Sequence, residues 1–238
     1  PRVAALGPWV GDKPPTVILT LQKQFGVPDH FSGLHVMRSA DFGRTWTAPE
    51  ARPELDWAVE PGGIHVCVGD VTPGWHPQTR KLLAIGAQIR YNAQGEQLED
   101  KPRSHQTAYT VFDPDTGRWT PWRRLEMPAD ERFNYARSAC CQWLIEADGT
   151  LLVPFYISTS VRFPFSAVVA RCAFDGNELK HLEHGPILTL DEARGLDEPS
   201  LVRFGNRYYL TIRNDVRGYV TVSDDGLKFR ALKAWTFD

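Results

Sequence analysis

A histidine, a tyrosine and an arginine in this sequence have the types needed to work on an acidic sugar. His76, Tyr135 and Arg137 fall beside strand-like runs. A His or Tyr base beside an arginine that neutralises a uronate carboxylate is the logic of a polysaccharide lyase. The base removes the proton next to the carboxylate, and the guanidinium fork holds that carboxylate in two parallel hydrogen bonds. Tyr135, in Phe-Asn-Tyr-Ala-Arg137, directly precedes an expected strand. Metal chemistry is not expected. His65, His76, His105, His181 and His184 lack ligand spacing, and Cys67, Cys140, Cys141 and Cys172 lack the paired spacing of a zinc site. Neighbouring strand residues point to opposite faces, so at least one of Cys140 and Cys141 should be buried. Four buried thiols are expected.

The elements that must hold such residues are short strands. Val17-Ile-Leu-Thr-Leu21, residues 33–38, 67–76, 81–91, 106–112, 150–156, 167–174, 179–183, 198–202, 207–213 and 219–223 read as strands. Turns containing Asp, Asn and Gly separate them, and Asp148-Gly149 between two apolar runs is a strong hairpin signal. Residues 1–15 read as loop, 48–63 as a long loop and 92–104 as a polar insertion. Four turn aspartates, Asp41, Asp115, Asp175 and Asp225, recur once per group of strands. Four meanders, each with its own turn, favour a β-propeller over a sandwich or barrel.

The clearest of these turns is Ser39-Ala-Asp-Phe-Gly-Arg-Thr-Trp46. Asp41 can accept from backbone N–H groups within the turn, Gly43 supplies a conformation closed to most residues, and Trp46 can plug the space beneath. The pattern S-x-D-x-G-x-T-W is the Asp-box, and the chain resembles the sialidase-like β-propellers that carry it. Further stretches are similar to that family: Gly69-Asp-Val-Thr-Pro73, Cys141-Gln-Trp-Leu-Ile145 onward to Phe155, and Asp197-Glu-Pro-Ser-Leu-Val-Arg onward to Arg213. The resemblance implies an all-β, sialidase-type propeller. The family has six blades, and about four four-stranded blades are visible in residues 1–238, read as one partial domain.

It also implies an activity, retaining hydrolysis of a terminal sialic acid or related acidic sugar, with no redox cofactor. Arginine forks suit the carboxylate of such a sugar. The family's nucleophile is a tyrosine, activated by a glutamate, while an aspartic acid assists the leaving oxygen. Carried over by position, Glu198 is the tyrosine's base and Asp29 the acid/base aspartate. Arg213 and Arg2 bind the substrate carboxylate, and Asp70 lines the pocket. The third arginine and the nucleophile are expected beyond Asp238. In the family the boxes lie on the outer rim, so a hydrolase requires Glu198 and Arg213 to lie away from them. A lyase built on His76, Tyr135 and Arg137 and a non-catalytic glycan- or protein-binding propeller remain open, because fold does not dictate function.

Composition bounds the partners. Net charge is −2, which offers nothing to nucleic acid or an anionic membrane surface. There is no apolar run of roughly eighteen residues to span a bilayer. The expected partner is a glycan bearing a carboxylated sugar. The chain starts at Pro1 without Met, as a mature product or a fragment would. An open propeller exposes apolar sheet faces, which favours self-association. An extracellular or periplasmic site of action is favoured for a glycan-acting enzyme.

Overall fold

The computed structural model describes residues 1–8, 14–26, 29–98, 106–160 and 162–236; His105 lies outside them. The described chain forms four antiparallel sheets. The first contains β1 (Arg2–Ala5), β2 (Val17–Leu21), β3 (His35–Ser39) and β4 (Glu50–Ala51) in that order. The second contains β5 (Ala58–Glu60), β6 (Ile64–His76), β7 (Lys81–Tyr91), β8 (Gln97–Leu98), β9 (Thr107–Asp113), β10 (Arg118–Trp119) and β11 (Arg123–Arg124). The third contains β12 (Tyr135–Arg137), β13 (Leu144–Ile145), β14 (Leu151–Ser158), β15 (Ser166–Phe174) and β16 (Leu179–His184). The fourth runs β17 (Asp197–Phe204), β18 (Arg207–Arg213), β19 (Tyr219–Ser223), β20 (Lys233–Ala234). These meanders are the blades of an all-β propeller fold.

Two compact units result, Pro1–Glu99 with Thr107–Arg124 and Asp100–Gln106 with Leu125–Asp238. In the first, Ile18 and Val36 of the first sheet share a core with Val71, Leu82 and Phe112 of the second. In the second, Leu152 and Val169 of the third sheet meet Leu201, Leu210 and Ile212 of the fourth. Alternation builds the outer strands: β2 buries Ile18 and Thr20 and leaves Val17, Leu19 and Leu21 only half-buried. The central strand β7 is buried on both faces for nearly its whole length, which its apolar run foretells.

Two expectations are corrected here. Residues 1–15 do not form only loop, because Arg2–Ala5 pairs with β2. The long loop 48–63 contains β4, β5 and a 3₁₀ turn at Pro53–Leu55. Both errors concern strands too short to carry a pattern of their own; they exist because a neighbouring edge supplies their hydrogen bonds. The thiols also differ from expectation. Cys67, Cys141 and Cys172 are buried, Cys140 is half-buried, and all four are free. Among the described residues no helix is long and apolar enough to cross a membrane.

The Asp-box forms from its own residues. Ser39 Oγ donates to Asp41 Oδ1 at 2.8 Å and accepts from Gly43 N at 2.7 Å. Thr45 donates its N–H at 2.9 Å and its hydroxyl at 2.6 Å to the Asp41 carboxylate, and Trp46 Nε1 donates to Gly43 O at 3.0 Å. Ser223 and Asp225 repeat the arrangement. In the second sheet the turn acceptor is Asp113 rather than Asp115: Asp113 Oδ1 accepts from Asp115 N at 3.0 Å and pairs with Lys81 at 2.7 Å.

The Asp41 carboxyl is pulled from 3.8 to about 2, first by the Thr45 hydroxyl, then by the Thr45 N–H and the Ser39 hydroxyl. A depressed folded-state value adds stability above the ordinary value, and that stability is lost as pH falls through the folded one. In Asp41→Asn, acid unfolding followed by tryptophan fluorescence is therefore expected to become shallower between roughly pH 4 and pH 2. An unchanged acid limb would show that the box does not couple to folding.

Candidate active site

Each sheet has two ends, and the Asp-box turns mark one of them. In the fourth sheet Tyr208 pairs with Ser223 at the box end, and Asp197 pairs with Arg213 at the far end. In the first, Val17 pairs with Ser39 at the box, while Arg2 pairs with Thr20 towards the far end. In the third, Phe174 pairs with Leu179 beside the Asp175 turn, and Arg137 pairs with Tyr156 at the other end. Glu198 and Arg213 thus lie on the end of their sheet away from the box. Arg2, Tyr135 and Arg137 hold the same end of theirs, and Asp70 lies midway along β6, next to Gly69, whose partner Ala87 meets the start of β9.

A bulge aims the acids. Between β6 and β7 the register shifts from Gly69↔Ala87 to Thr72↔Ile85. Between β17 and β18 it shifts in the same way, from Asp197↔Arg213 to Ser200↔Thr211. In each case two residues oppose one, and the first of the two is acidic with a positive φ: Asp70 at 55° and Glu198 at 45°. A bulge turns a side chain out of the alternation that a flat ladder would impose. Left-handed backbone at a residue with a Cβ costs about 1–3 kcal/mol and persists where its surroundings over-determine it. Cys140 and Asp29, in loops of the other two sheets, also have positive φ, each 57°, without a bulge. The signal was present in the sequence as an acid at the second position of Gly69-Asp-Val-Thr-Pro73 and Asp197-Glu-Pro-Ser-Leu201 once the two are laid over each other. Neither stretch shows a bulge when read alone.

Buried polar groups hold Glu198 in place. Pro199 should keep the preceding residue extended, so its positive φ needs a clamp. Asp197, only 3 % exposed, supplies one: its Oδ1 accepts from Glu198 N at 3.0 Å. Its other oxygen accepts from Arg194 at 2.8 Å, and Arg194 pairs also with Asp215 at 2.7 Å. The two carboxylates raise the Arg194 guanidinium, Asp215 contributing most. Outward of this clamp, Arg213 Nη1 meets Glu198 Oε1 at 3.0 Å, with the arginine side chain 48 % exposed. Sequence reasoning found the outer pair and missed Arg194, Asp197 and Asp215, whose role depends on a turn that folds three segments together.

In the first unit Arg2 and Asp70 line one open cleft of about 260 Å³ with Thr20, Gln22 and Phe31. Gln22 Nε2 donates to Ser32 O at 2.9 Å and Val68 O at 2.8 Å, tying the hairpin that carries Asp29 to β6. Tyr91 OH donates to the Asp29 carbonyl, and Trp57 Nε1 donates to Phe31 O at 2.9 Å. Gly69 makes this possible, because a Cβ there would lie 2.8 Å from the Phe31 ring. Arg2 and Asp70 are therefore brought together, while Asp29 sits on the hairpin whose Phe31 forms the cleft wall.

Of the other constellation, His76 belongs to the first unit and Tyr135 and Arg137 to the second. His76 is the last residue of β6, at the box end of its sheet, with Nδ1 2.9 Å from Thr79 Oγ1 and only 1 % of its surface exposed. Tyr135 and Arg137 are joined, Arg137 Nη1 donating to Tyr135 OH at 2.9 Å, but both are buried. Tyr135 is the first residue of β12 rather than a loop residue. Arg137 also sits 5.6 Å from the ring of Tyr156, whose phenol burial pushes well above its ordinary value. This group braces the end of the third sheet opposite the Asp175 turn. The Cys141 thiol is likewise raised by burial, so it is no nucleophile. Among the described residues no group of three His, Cys, Asp or Glu side chains is arranged to hold a metal.

No family model matches the chain, and no curated protein matches it. Solved structures do. The sialidase of Streptococcus pneumoniae superposes with a TM-score of 0.63 at 10 % identity, over 92 % of this chain and 50 % of the other. A Trypanosoma rangeli sialidase in complex with sialic acid gives 0.61 at 16 % identity, over 97 % and 36 %. An exo-β-1,3-galactanase of Clostridium thermocellum gives 0.60 at 15 % identity, over 98 % and 47 %. The chain thus spans half or less of the length of these three structures, and what it shares with them is the sialidase-type β-propeller fold.

Proposed function

We propose that the chain carries part of the active site of a retaining glycoside hydrolase that acts on a terminal carboxylated sugar, a sialoside. The observation that carries this is the Glu198–Arg213 pair, 3.0 Å apart, half-exposed and on the far end of its sheet from the Asp-box. Exposed ion pairs contribute roughly 0–1 kcal/mol, so the fold gains little from this one. A strained, clamped glutamate paired with a half-exposed guanidinium is better explained by a ligand. The carboxylate of a sialoside would take the Arg213 fork and release Glu198, which then accepts the proton of the nucleophile. Arg2 and Asp70 offer a second cation and acid on the first unit's cleft. Tyr135 and Tyr156 are buried and are not assigned as the nucleophile.

The sialidases among the structural neighbours support this substrate class, and the galactanase supports a neutral galactoside instead. The exposed guanidinium favours the acidic sugar. The test is fluorophore release from an aryl sialoside and an aryl galactoside by the full reading frame containing this chain. Release from the sialoside is expected. Release from the galactoside alone would sink the acidic-sugar assignment, and release from neither, by folded protein, would sink hydrolysis.

A further inference from the structure

We propose that His181 and His184, on the outer strand of the third sheet, form a two-imidazole site for a divalent transition-metal ion of the zinc or copper kind. The site lies outside the acid and arginine groups described above and does not rest on the hydrolase reading. In sequence the pair lacks ligand spacing, because residues three apart on a regular strand point to opposite faces. A bulge removes that obstacle. Between β15 and β16 the register shifts from Arg171↔Glu183 to Cys172↔His181, so Leu182 is the extra residue. His184 pairs with Ala170 and His181 with Cys172, and Ala170 and Cys172 share one face of β15. The two imidazoles therefore come to the same face, with ring centres 5.9 Å apart. Glu183 goes to the opposite face, where it pairs with Arg171 at 3.1 Å, and Leu182 is turned out, 54 % exposed. The separation fits one ion. An imidazole–metal bond is about 2.0–2.1 Å and a ring nitrogen lies about 1.1 Å from its ring centre, so two rings on one ion have centres up to about 6.4 Å apart.

The nitrogens are already prepared. His184 Nδ1 is 2.7 Å from Gly185 O, and Phe133 packs against the same ring at 5.0 Å. A ring nitrogen that faces a carbonyl carries the proton, which leaves the lone pair on Nε2. Ligating histidines use the same contact to fix tautomer and ring orientation. His181 Nε2 is buried with no hydrogen-bond partner among the described residues. A buried polar atom without a partner is costly, and a metal ion would satisfy it. Burial above all, then the neighbouring His184, lowers the His181 value against the opposing pull of Glu183, so this ring gives up its proton readily, as a ligand must.

The surrounding charge does not oppose a cation. Each nearby cation is matched by a carboxylate: Arg132 by Asp130, Arg171 by Glu183 and Lys180 by Glu178. Asp130, held at about 2 chiefly by Arg132, also lies within electrostatic reach of His184. With two protein ligands, water fills the remaining positions, which makes this an open, reversible site rather than a closed structural one.

The test is calorimetric titration of the untagged chain with Zn²⁺, and separately with Cu²⁺ and Mg²⁺, at neutral pH. One saturable Zn²⁺ site is expected, with Cu²⁺ tighter and Mg²⁺ not bound, the order that imidazole ligands impose. His181→Ala and His184→Ala should each lower Zn²⁺ affinity at least about tenfold. His35→Ala, in the first unit, should leave it unchanged. Zn²⁺ at about a hundredfold over its Kd should raise Tm by about 5–10 °C. Electron paramagnetic resonance of the Cu²⁺ complex should show two coordinated imidazole nitrogens in the wild type and one in either variant. The wild-type spectrum decides even if a variant fails to fold. Absent or unsaturable Zn²⁺ binding, affinity indifferent to both histidine variants, or a wild-type copper spectrum with a single nitrogen would each overturn the site. Sialoside turnover enters none of these readouts, so the site and the hydrolase reading stand or fall separately.

Discussion

Glu198→Gln is expected to lower sialoside turnover by roughly 10²–10⁴-fold, the range of a positioned general base. The amide keeps the size of the side chain and removes the proton acceptor, so the loss should fall on kcat. Arg213→Ala is expected to act mainly on KM. A charge-assisted hydrogen bond contributes about 1.5–3 kcal/mol, which is roughly 10- to 150-fold in affinity. Neither change should unfold the protein. The Arg213 side chain is 48 % exposed and that of Glu198 30 %, and pairs of that kind add roughly 0–1 kcal/mol. Arg213→Lys keeps the charge but not the fork, so it should recover only part of the lost affinity. Steady-state kinetics with circular dichroism as the folding control decides the matter. Wild-type turnover in Glu198→Gln would remove Glu198 from the chemistry. Equal losses in Arg213→Ala and a variant that only loosens the fold would reduce Arg213 to structure.

The second large effect is on stability. Gly195 has φ +77°, and a Cβ built there would lie 2.2 Å from Phe165 O and 2.8 Å from Phe165 N. Left-handed backbone costs alanine about 1–2 kcal/mol, and pushing packed backbone apart adds about 1–3 kcal/mol. Gly195→Ala should therefore cost about 2–5 kcal/mol. At about 2–4 °C per kcal/mol for a chain of this size, Tm should fall by about 4–20 °C. Gly205→Ala separates the two causes. Gly205 also has a positive φ, +59°, but nothing lies within 4 Å of its added Cβ. It should show the conformational cost alone. Equal melting of the two variants would mean that segment 194–196 is not pressed against Phe165. A lower Tm in Gly195→Ala only would also predict weaker catalysis, because that segment leads into Asp197 and Glu198.

What could be read without the structure was what local chemistry decides. The Asp-box of Asp41 is closed by groups two to four residues apart, so its bonds are already implied by Ser39, Gly43, Thr45 and Trp46. The bounds of β7, β18 and β19 coincide with their apolar or alternating runs because long strands with a buried face carry their own pattern. The all-β meander architecture followed from these two facts. Resemblance then directed attention to Glu198, Arg213, Arg2 and Asp70. The tertiary structure decided everything that needs a partner from elsewhere in the chain. β1 exists because β2 offers it an edge. His76 was chosen by type, and only the fold shows it buried as the last residue of β6, at the box end of its sheet. The positive φ of Asp70 and Glu198 arises where one strand has an extra residue relative to its neighbour, a mismatch that neither strand records alone. The Arg194–Asp197–Asp215 clamp has the same origin: a buried charge is tolerable only beside its opposite, and which opposite it meets is set by the folded chain.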